Sequence, residues 1–170
     1  MEPSCAEERI DFLLETYGTT ILRIAYTYVK NLQDAEDVVQ ETFLKYLEHL
    51  PKFESSAHEK AWLLRVAINI SKNKCKSAWS RLRVDHEEVF TIQGTKEVGY
   101  EQVEWKSEVL QAVLSLPLKY RAVIHLYYYE DYSIQEIATC LGKNKNTIKS
   151  LLNRGRERLK RTLEEEYDYA

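Results

Sequence analysis

The sequence predicts an all-α protein: two small helical domains joined by a flexible linker, the C-terminal one containing a helix-turn-helix. Three observations carry this. Apolar residues recur at steps of three and four through most of the chain, the period of a helix with one buried face. Five Gly and three Pro among 170 residues leave little turn chemistry for an all-β fold. The charges, finally, are segregated beneath a net of −3. Lys60 to Val84 holds seven basic residues and no acid, and Lys143 to Arg161 holds eight against Glu157 alone. Asp85 to Glu108, between them, carries seven acids against Lys96 and Lys106. Two basic stretches around an acidic one suggest two contact surfaces for a polyanion, held on separate bodies.

Composition bounds the class. An apolar share of 44% with 30% charged residues is that of a globular protein. No apolar run approaches the ~20 residues needed to cross a bilayer. The start, Met1-Glu2-Pro3-Ser4-Cys5, lacks the basic-then-apolar order of a signal peptide. Cys5, Cys75 and Cys140 are odd in number and far apart, which argues against a disulfide framework and for a reducing compartment. The expected location is the cytoplasm.

Along the chain, Phe12, Leu13, Tyr17, Ile21, Ile24, Ala25 and Tyr28 place one helical face between Asp11 and Lys30. Asp34 is expected to cap the next helix, with Asp37 as a carboxylate variant of the capping box. Behind it Val39, Phe43, Tyr46, Leu47 and Leu50 form a buried stripe that Pro51 stops. After the polar loop Lys52 to Ser56 a helix runs from about His58 to Ser77. Leu63, Val66, Ala67 and Ile70 bury one of its faces, while Arg65, Asn69, Lys72, Asn73 and Lys76 line the other. With Phe53, Ser55 and Ser56 before it, this helix offers a cationic groove beside a polar pocket, suited to single-stranded nucleic acid. Trp62 has the surface to stack on a base, although a tryptophan opening an amphipathic helix is more often core. Periodicity is lost from Val84 to Gly99. The expected domains are therefore 1–83, an acidic mobile linker 84–103, and 104–170, with at least four short helices before an acidic tail at 164–167.

Catalytic patterns are missing from the sequence. His49, His58, His86 and His125 include no pair at metal-ligand spacing, and His58-Glu59 lacks the second histidine of a zinc-protease helix. There is no Cys-x-x-Cys and no glycine-rich phosphate loop. No acid stands isolated in an apolar setting that would raise its pKa. His125, inside an apolar helix, reads as a core or boundary residue rather than a base. The expectation is a protein that is no enzyme and needs no cofactor or metal.

The most informative segment runs from Tyr132 to Ser150. Ser133 and Glu136 form a capping box; Ile134, Ile137, Ala138 and Leu141 bury the helix that follows; Gly142 suits its left-handed end. Asn144 is placed to cap a second helix with Ile148, Leu151 or Leu152, Gly155 and Leu159 inward. Two helices joined by so short a Gly-containing turn are a helix-turn-helix. On the second helix Lys145, Asn146, Lys149, Ser150, Asn153 and Arg156 point away from that core. Lys or Arg suits guanine, Asn suits adenine, and Ser suits either, so this face is equipped for a major groove.

These segments resemble a known family. Asp34-Ala35-Glu36-Asp37-Val38-Val39-Gln40-Glu41-Thr42-Phe43 resembles the core-binding helix of sigma-70 family RNA polymerase sigma factors. Ala61 to Asn69 (AWLLRVAIN) resembles their promoter-melting helix, and Leu116-Pro117 with Tyr120-Arg121 through Arg158-Leu159 is similar to their C-terminal helix-turn-helix. With only these two domains the chain looks like the extracytoplasmic-function (ECF) subgroup. The resemblance implies that Asp37, Gln40 and Glu41 dock on the coiled coil of the largest subunit of core RNA polymerase. It implies that Phe53, Ser55, Ser56, Arg65, Asn69, Lys72, Asn73 and Lys76 take the −10 promoter DNA and hold a flipped base. Lys149, Ser150, Asn153 and Arg154 match positions that read the −35 element, beside the groove-facing Lys145 and Asn146. An anti-sigma factor, often membrane-tethered, is the implied controlling partner; the chain itself would be no membrane protein. Three positions depart from the pattern. Lys143 replaces an apolar residue and predicts a looser turn, Leu151 replaces a basic one and removes a phosphate contact, and Asn73 stands where Asp is common. An acidic linker would suit a path through the polymerase as an RNA mimic. The competing readings are a dimeric helix-turn-helix regulator with an N-terminal sensor or dimerisation domain, and a helical scaffold or enzyme that binds no DNA.

Overall fold

The structure, a computed structural model, describes the backbone of residues 3–82 and 107–168 and the side chains of 5–77 and 107–165. The described residues form seven helices and no strand: α1 (Pro3–Val29), α2 (Leu32–His49), α3 (Ser56–Leu82), α4 (Glu108–Ser115), α5 (Leu118–Tyr128), α6 (Ile134–Leu141) and α7 (Lys145–Asp168). Their contacts fall into two units, α1 to α3 and α4 to α7. The expected linker and the domain bounds at 83, 84, 103 and 104 lie outside the described residues.

In the first unit each helix packs on both others. Leu13, Ile21, Ile24 and Ala25 of α1, Val38, Val39 and Phe43 of α2, and Leu63, Leu64, Ala67 and Ile68 of α3 are buried. The periodicity located these faces, but Val66 of α3 is only half-buried and further details of α1 and α2 differ from expectation. Phe12 is 51% exposed because the inward stripe of α1 passes through Leu13 instead. The α2 cap is Asn31, not Asp34: its side-chain oxygen accepts from the Asp34 N–H at 3.0 Å, and Asp34 falls inside the first turn. A carboxylate there still faces the positive end of the helix dipole. Leu47 and Leu50 are exposed rather than buried, since the inward stripe of α2 ends at Tyr46. Leu50 itself takes a left-handed conformation (φ 39°, ψ 57°) that closes α2 before Pro51.

The second unit follows the sequence reading closely. Ser133 Oγ accepts from the Glu136 N–H at 3.1 Å and the Glu136 carboxylate accepts from the Ser133 N–H at 2.7 Å, a complete capping box. Gly142 (φ 66°) ends α6, and its N–H and that of Lys143 both donate to Ala138 O. The turn therefore closes regularly, without the looseness expected from Lys143. Asn144 caps α7 by accepting from the Thr147 N–H at 2.8 Å. Ile148, Leu151 and Leu152 are all buried, so both leucines face inward and Leu151 is a packing residue. Gly155 lets α7 approach α5: a Cβ there would stand 3.1 Å from Ile124 Cγ1. The helix does not stop before an acidic tail; Glu164 to Tyr167 belong to α7. His125 is buried as expected, stacked on Tyr129 with Nε2 3.4 Å from Glu130.

Two outcomes follow for stability. Ser133→Ala removes one half of the capping box and lowers the urea midpoint of the second unit by the equivalent of about 1 kcal/mol, with an unchanged m-value. In the first unit, burial raises the Tyr26 hydroxyl above its ordinary pKa of 10.0. The neutral phenol is thus favoured by folding: its contribution is intact below about pH 10 and is lost as the pH rises through the folded value. Urea titrations at rising alkaline pH will show this loss, and Tyr26→Phe will flatten it.

Candidate nucleic-acid interface

Three surfaces carry the sequence-predicted residues. On α2, Asp37, Gln40 and Glu41 are all exposed, three and four residues apart on one face. Leu44 (57% exposed) and Leu47 continue that face toward the C-terminal end. The apolar stripe predicts Leu47 inside, but it is exposed, and Leu44 lies three residues after Glu41 on the same outer face. The result is an acidic and amide patch that runs into an apolar one.

On α3, Arg65, Asn69, Asn73 and Lys76 are exposed and Lys72 is half-buried. They form one outer stripe, as the spacing predicts. Phe53, Ser55 and Ser56 belong to a separate feature, a cavity of about 470 Å³ at the start of α3 that the stripe does not line. Ser55 is first of all a helix cap, its Oγ accepting from the His58 N–H at 3.2 Å. Phe53 and Trp62 pack against Tyr46 with ring centroids 5.9 to 6.3 Å apart, so Trp62 is part of an aromatic cluster rather than a free stacking platform.

The floor of this cavity was not legible in the sequence. Glu59, 5% exposed, is a buried acid, although the sequence predicts no carboxylate in an apolar setting. Arg9 Nη2 donates to both of its oxygens at 2.8 Å, and the Tyr46 hydroxyl donates to Oε2 at 3.0 Å. The Glu59 carboxylate and the Tyr46 hydroxyl hold the Arg9 guanidinium above its ordinary pKa. One network thereby ties α1, α2 and α3 together and places a cation, aromatic rings and hydroxyls around a space large enough for a nucleobase. Glu130 is a second buried acid, partnered by His125.

On α7, Lys145, Asn146, Lys149, Ser150, Asn153 and Arg154 are all exposed. They lie outside the buried stripe of Ile148 and Leu152, just after the Gly142 turn, where a helix-turn-helix presents its groove-facing residues. Arg156 is exposed as expected, and in addition lies across Tyr127 and Tyr128 of α5. No described group of His, Cys, Asp and Glu has the makings of a metal site.

The fold and these faces define a two-unit helical protein with a helix-turn-helix on its second unit. Comparison with known proteins sharpens the class. Residues 13–81 match the family Sigma-70 region 2, and residues 106–159 match Sigma-70, region 4. The chain is 30% identical over 132 residues to RNA polymerase sigma factor SigV of Bacillus subtilis (strain 168), spanning 78% of this chain and 77% of that protein. It is 28% identical over 166 residues to ECF RNA polymerase sigma factor SigW of the same organism, spanning 89% and 87%. Among solved structures, the sigma factor RpoE of Bartonella quintana, in complex with the anti-sigma factor NepR, has the same fold. Its TM-score is 0.72 at 23% identity, over 91% of this chain and 97% of that one. CnrH, solved with the cytosolic domain of CnrY, gives 0.65 at 21% identity over 93% and 89%. The chain belongs to the sigma-70 family of RNA polymerase sigma factors, within its ECF group. It directs core polymerase to promoters as a DNA-binding initiation factor. Sigma factors are not enzymes, and the dimeric-regulator reading is not favoured.

Removing Arg9 alone would strand the Glu59 carboxylate. Arg9→Met is expected to lower first-unit stability by about 1–2 kcal/mol, a figure discounted for the partial exposure of Arg9. Because replacing both members of such a pair by apolar residues is often neutral, Arg9→Met with Glu59→Leu should recover most of it. Urea midpoints of the three proteins decide this.

Proposed function

We propose that three surfaces divide the work of initiation. The α2 face of Asp37, Gln40 and Glu41 docks on the basic coiled coil of the largest polymerase subunit. Leu44 and Leu47 add apolar area to that contact, which supplies affinity where the charges supply orientation.

The stripe of Arg65, Asn69, Lys72, Asn73 and Lys76 follows the backbone of the −10 non-template strand as the duplex opens. One unstacked base enters the cavity bounded by Phe53, Ser55 and Ser56. Extracting a base costs a few kcal/mol, and stacking on an aromatic side chain returns ~1–3 kcal/mol. Edge hydrogen bonds in the cavity cover the rest.

The α7 residues Lys145, Asn146, Lys149, Ser150, Asn153 and Arg154 read the −35 element in the major groove. Holding the two DNA-binding faces on separate units suits two promoter elements read together. The protein works in the cytoplasm, where the polymerase and promoters are. By likeness to RpoE with NepR and CnrH with CnrY, an anti-sigma factor, membrane-tethered in the form common to the group, holds it inactive.

The observation that carries this reading is the joint exposure, on one 170-residue chain, of an acidic docking face and two separate basic helical faces. Run-off transcription with bacterial core polymerase on a library of −35 and −10 spacings tests it. New start sites appear only when the protein is added. Asp37→Lys and Leu44→Glu, both on exposed positions, each reduce run-off product by about tenfold or more and weaken co-elution with core. Start sites that persist undiminished in both variants refute the docking assignment.

A further inference from the structure

Arg156 is set apart from the other cations of α7 by how it is held. Its Nε donates to the Tyr128 hydroxyl, and its guanidinium carbon lies 5.2 Å from the Tyr127 ring centre and 5.5 Å from that of Tyr128. The two rings meet edge to face, centroids 5.0 Å apart, at the end of α5. Among the described residues no carboxylate pairs with Arg156, although the side chain is exposed. Of the five N–H donors of the guanidinium that bond takes only Nε, which leaves Nη donors for another acceptor. An arginine held this way has already lost much of the rotamer entropy that a free side chain gives up on binding.

Its place on the helix matters as much. At 3.6 residues per turn, Lys145, Lys149, Arg156 and Lys160 share one edge of α7, within roughly 60° of arc. Arg156 stands about 10 Å along the axis from Lys149, below the residues at the groove-facing end. A planar fork at that point matches the two oxygens of a phosphate, which it can bind with two parallel hydrogen bonds.

We propose that Arg156, aimed by Tyr127 and Tyr128, clamps one backbone phosphate at the edge of the −35 segment, adding affinity and register but no sequence choice. This rests on the reading of α7 as the −35 surface. Arg156 binds through the terminal edge of its guanidinium; Tyr128 is a positioning residue that holds Nε. The charge neutralises one phosphate and releases its condensed counterion, so its signature is in the salt dependence of binding.

The test uses the full chain, labelled duplexes and fluorescence anisotropy between about 50 and 200 mM salt. One duplex carries the −35 sequence of a promoter selected in the run-off experiment; the other is a scrambled copy. Arg156→Gln is expected to reduce the slope of log K against log salt by about 0.9 and to weaken both duplexes by the same factor. Tyr128→Phe keeps the charge and hence the slope, but weakens both duplexes a few-fold. An unchanged slope in Arg156→Gln, or a loss confined to the selected duplex, overturns the proposal. If Arg156→Gln loses helicity, Arg156→Lys replaces it: the slope stays and affinity falls on both duplexes, whereas undiminished affinity refutes the clamp. Failure of the unaltered protein to bind either duplex in a salt-dependent way would instead overturn the reading of α7 itself.

Discussion

The helices α2, α3 and α7 each bury one face in a small core while keeping the opposite face polar or charged and in water, whereas α5 is buried on every side from Tyr120 to Leu126. Most of the rest follows from that constraint. Ala67 and Ile70 of α3 are buried while Arg65, Asn69 and Asn73 stand exposed beside them. On α7, Ile148 and Leu152 are inside while Lys145, Lys149 and Asn153 are outside. Burial of the apolar stripe supplies the stability, and it also fixes the rotation of each helix about its axis. A basic face that cannot turn inward is thereby held ready for a polyanion. Folding and binding use the same 3.6-residue period.

The two units solve the problem of helix ends differently. In the second, local chemistry is enough: the Ser133–Glu136 box starts α6, Gly142 ends it and Asn144 starts α7 within a dozen residues. Each of these bonds spans only a few positions, so the turn between α6 and α7 is defined by local groups. In the first unit, the start of α3 is held by distant groups. Arg9 lies fifty residues from Glu59, and Tyr46 thirteen, yet both bond its carboxylate. Three charged or polar groups converge where α1, α2 and the first turn of α3 meet, and the cavity opens there. A buried carboxylate with so few partners is costly to leave half-paired, which makes this junction sensitive to any one substitution.

Tyrosine has a recurring place in both networks. Tyr46 gives a hydroxyl to Glu59 and an aromatic face to Phe53 and Trp62. Tyr128 accepts from Arg156 while its ring lies under the same guanidinium. In each case an amphipathic ring joins a hydrogen bond at its hydroxyl to apolar or cation–π contact at its face: Arg156 has no carboxylate among the described residues and rests on its tyrosines, whereas Arg9 pairs with Glu59 and also lies over Phe12.

The sequence by itself determined the class of fold, the two bodies, the buried stripes of most helices and the helix-turn-helix with its caps. It also placed the exposed residues on α2, α3 and α7. All of these are local: they depend on spacing within one helix or on bonds across three or four residues. Tertiary structure alone decided the rest. The inward rotation of α1 and α2, which leaves Phe12, Leu44 and Leu47 in solvent, follows from three helices competing for one core. The Arg9–Glu59–Tyr46 network and the seating of Arg156 on Tyr127 and Tyr128 join residues far apart in the chain. No periodicity encodes such pairs, because a hydrogen bond records only which groups the packed helices bring within 3 Å of each other.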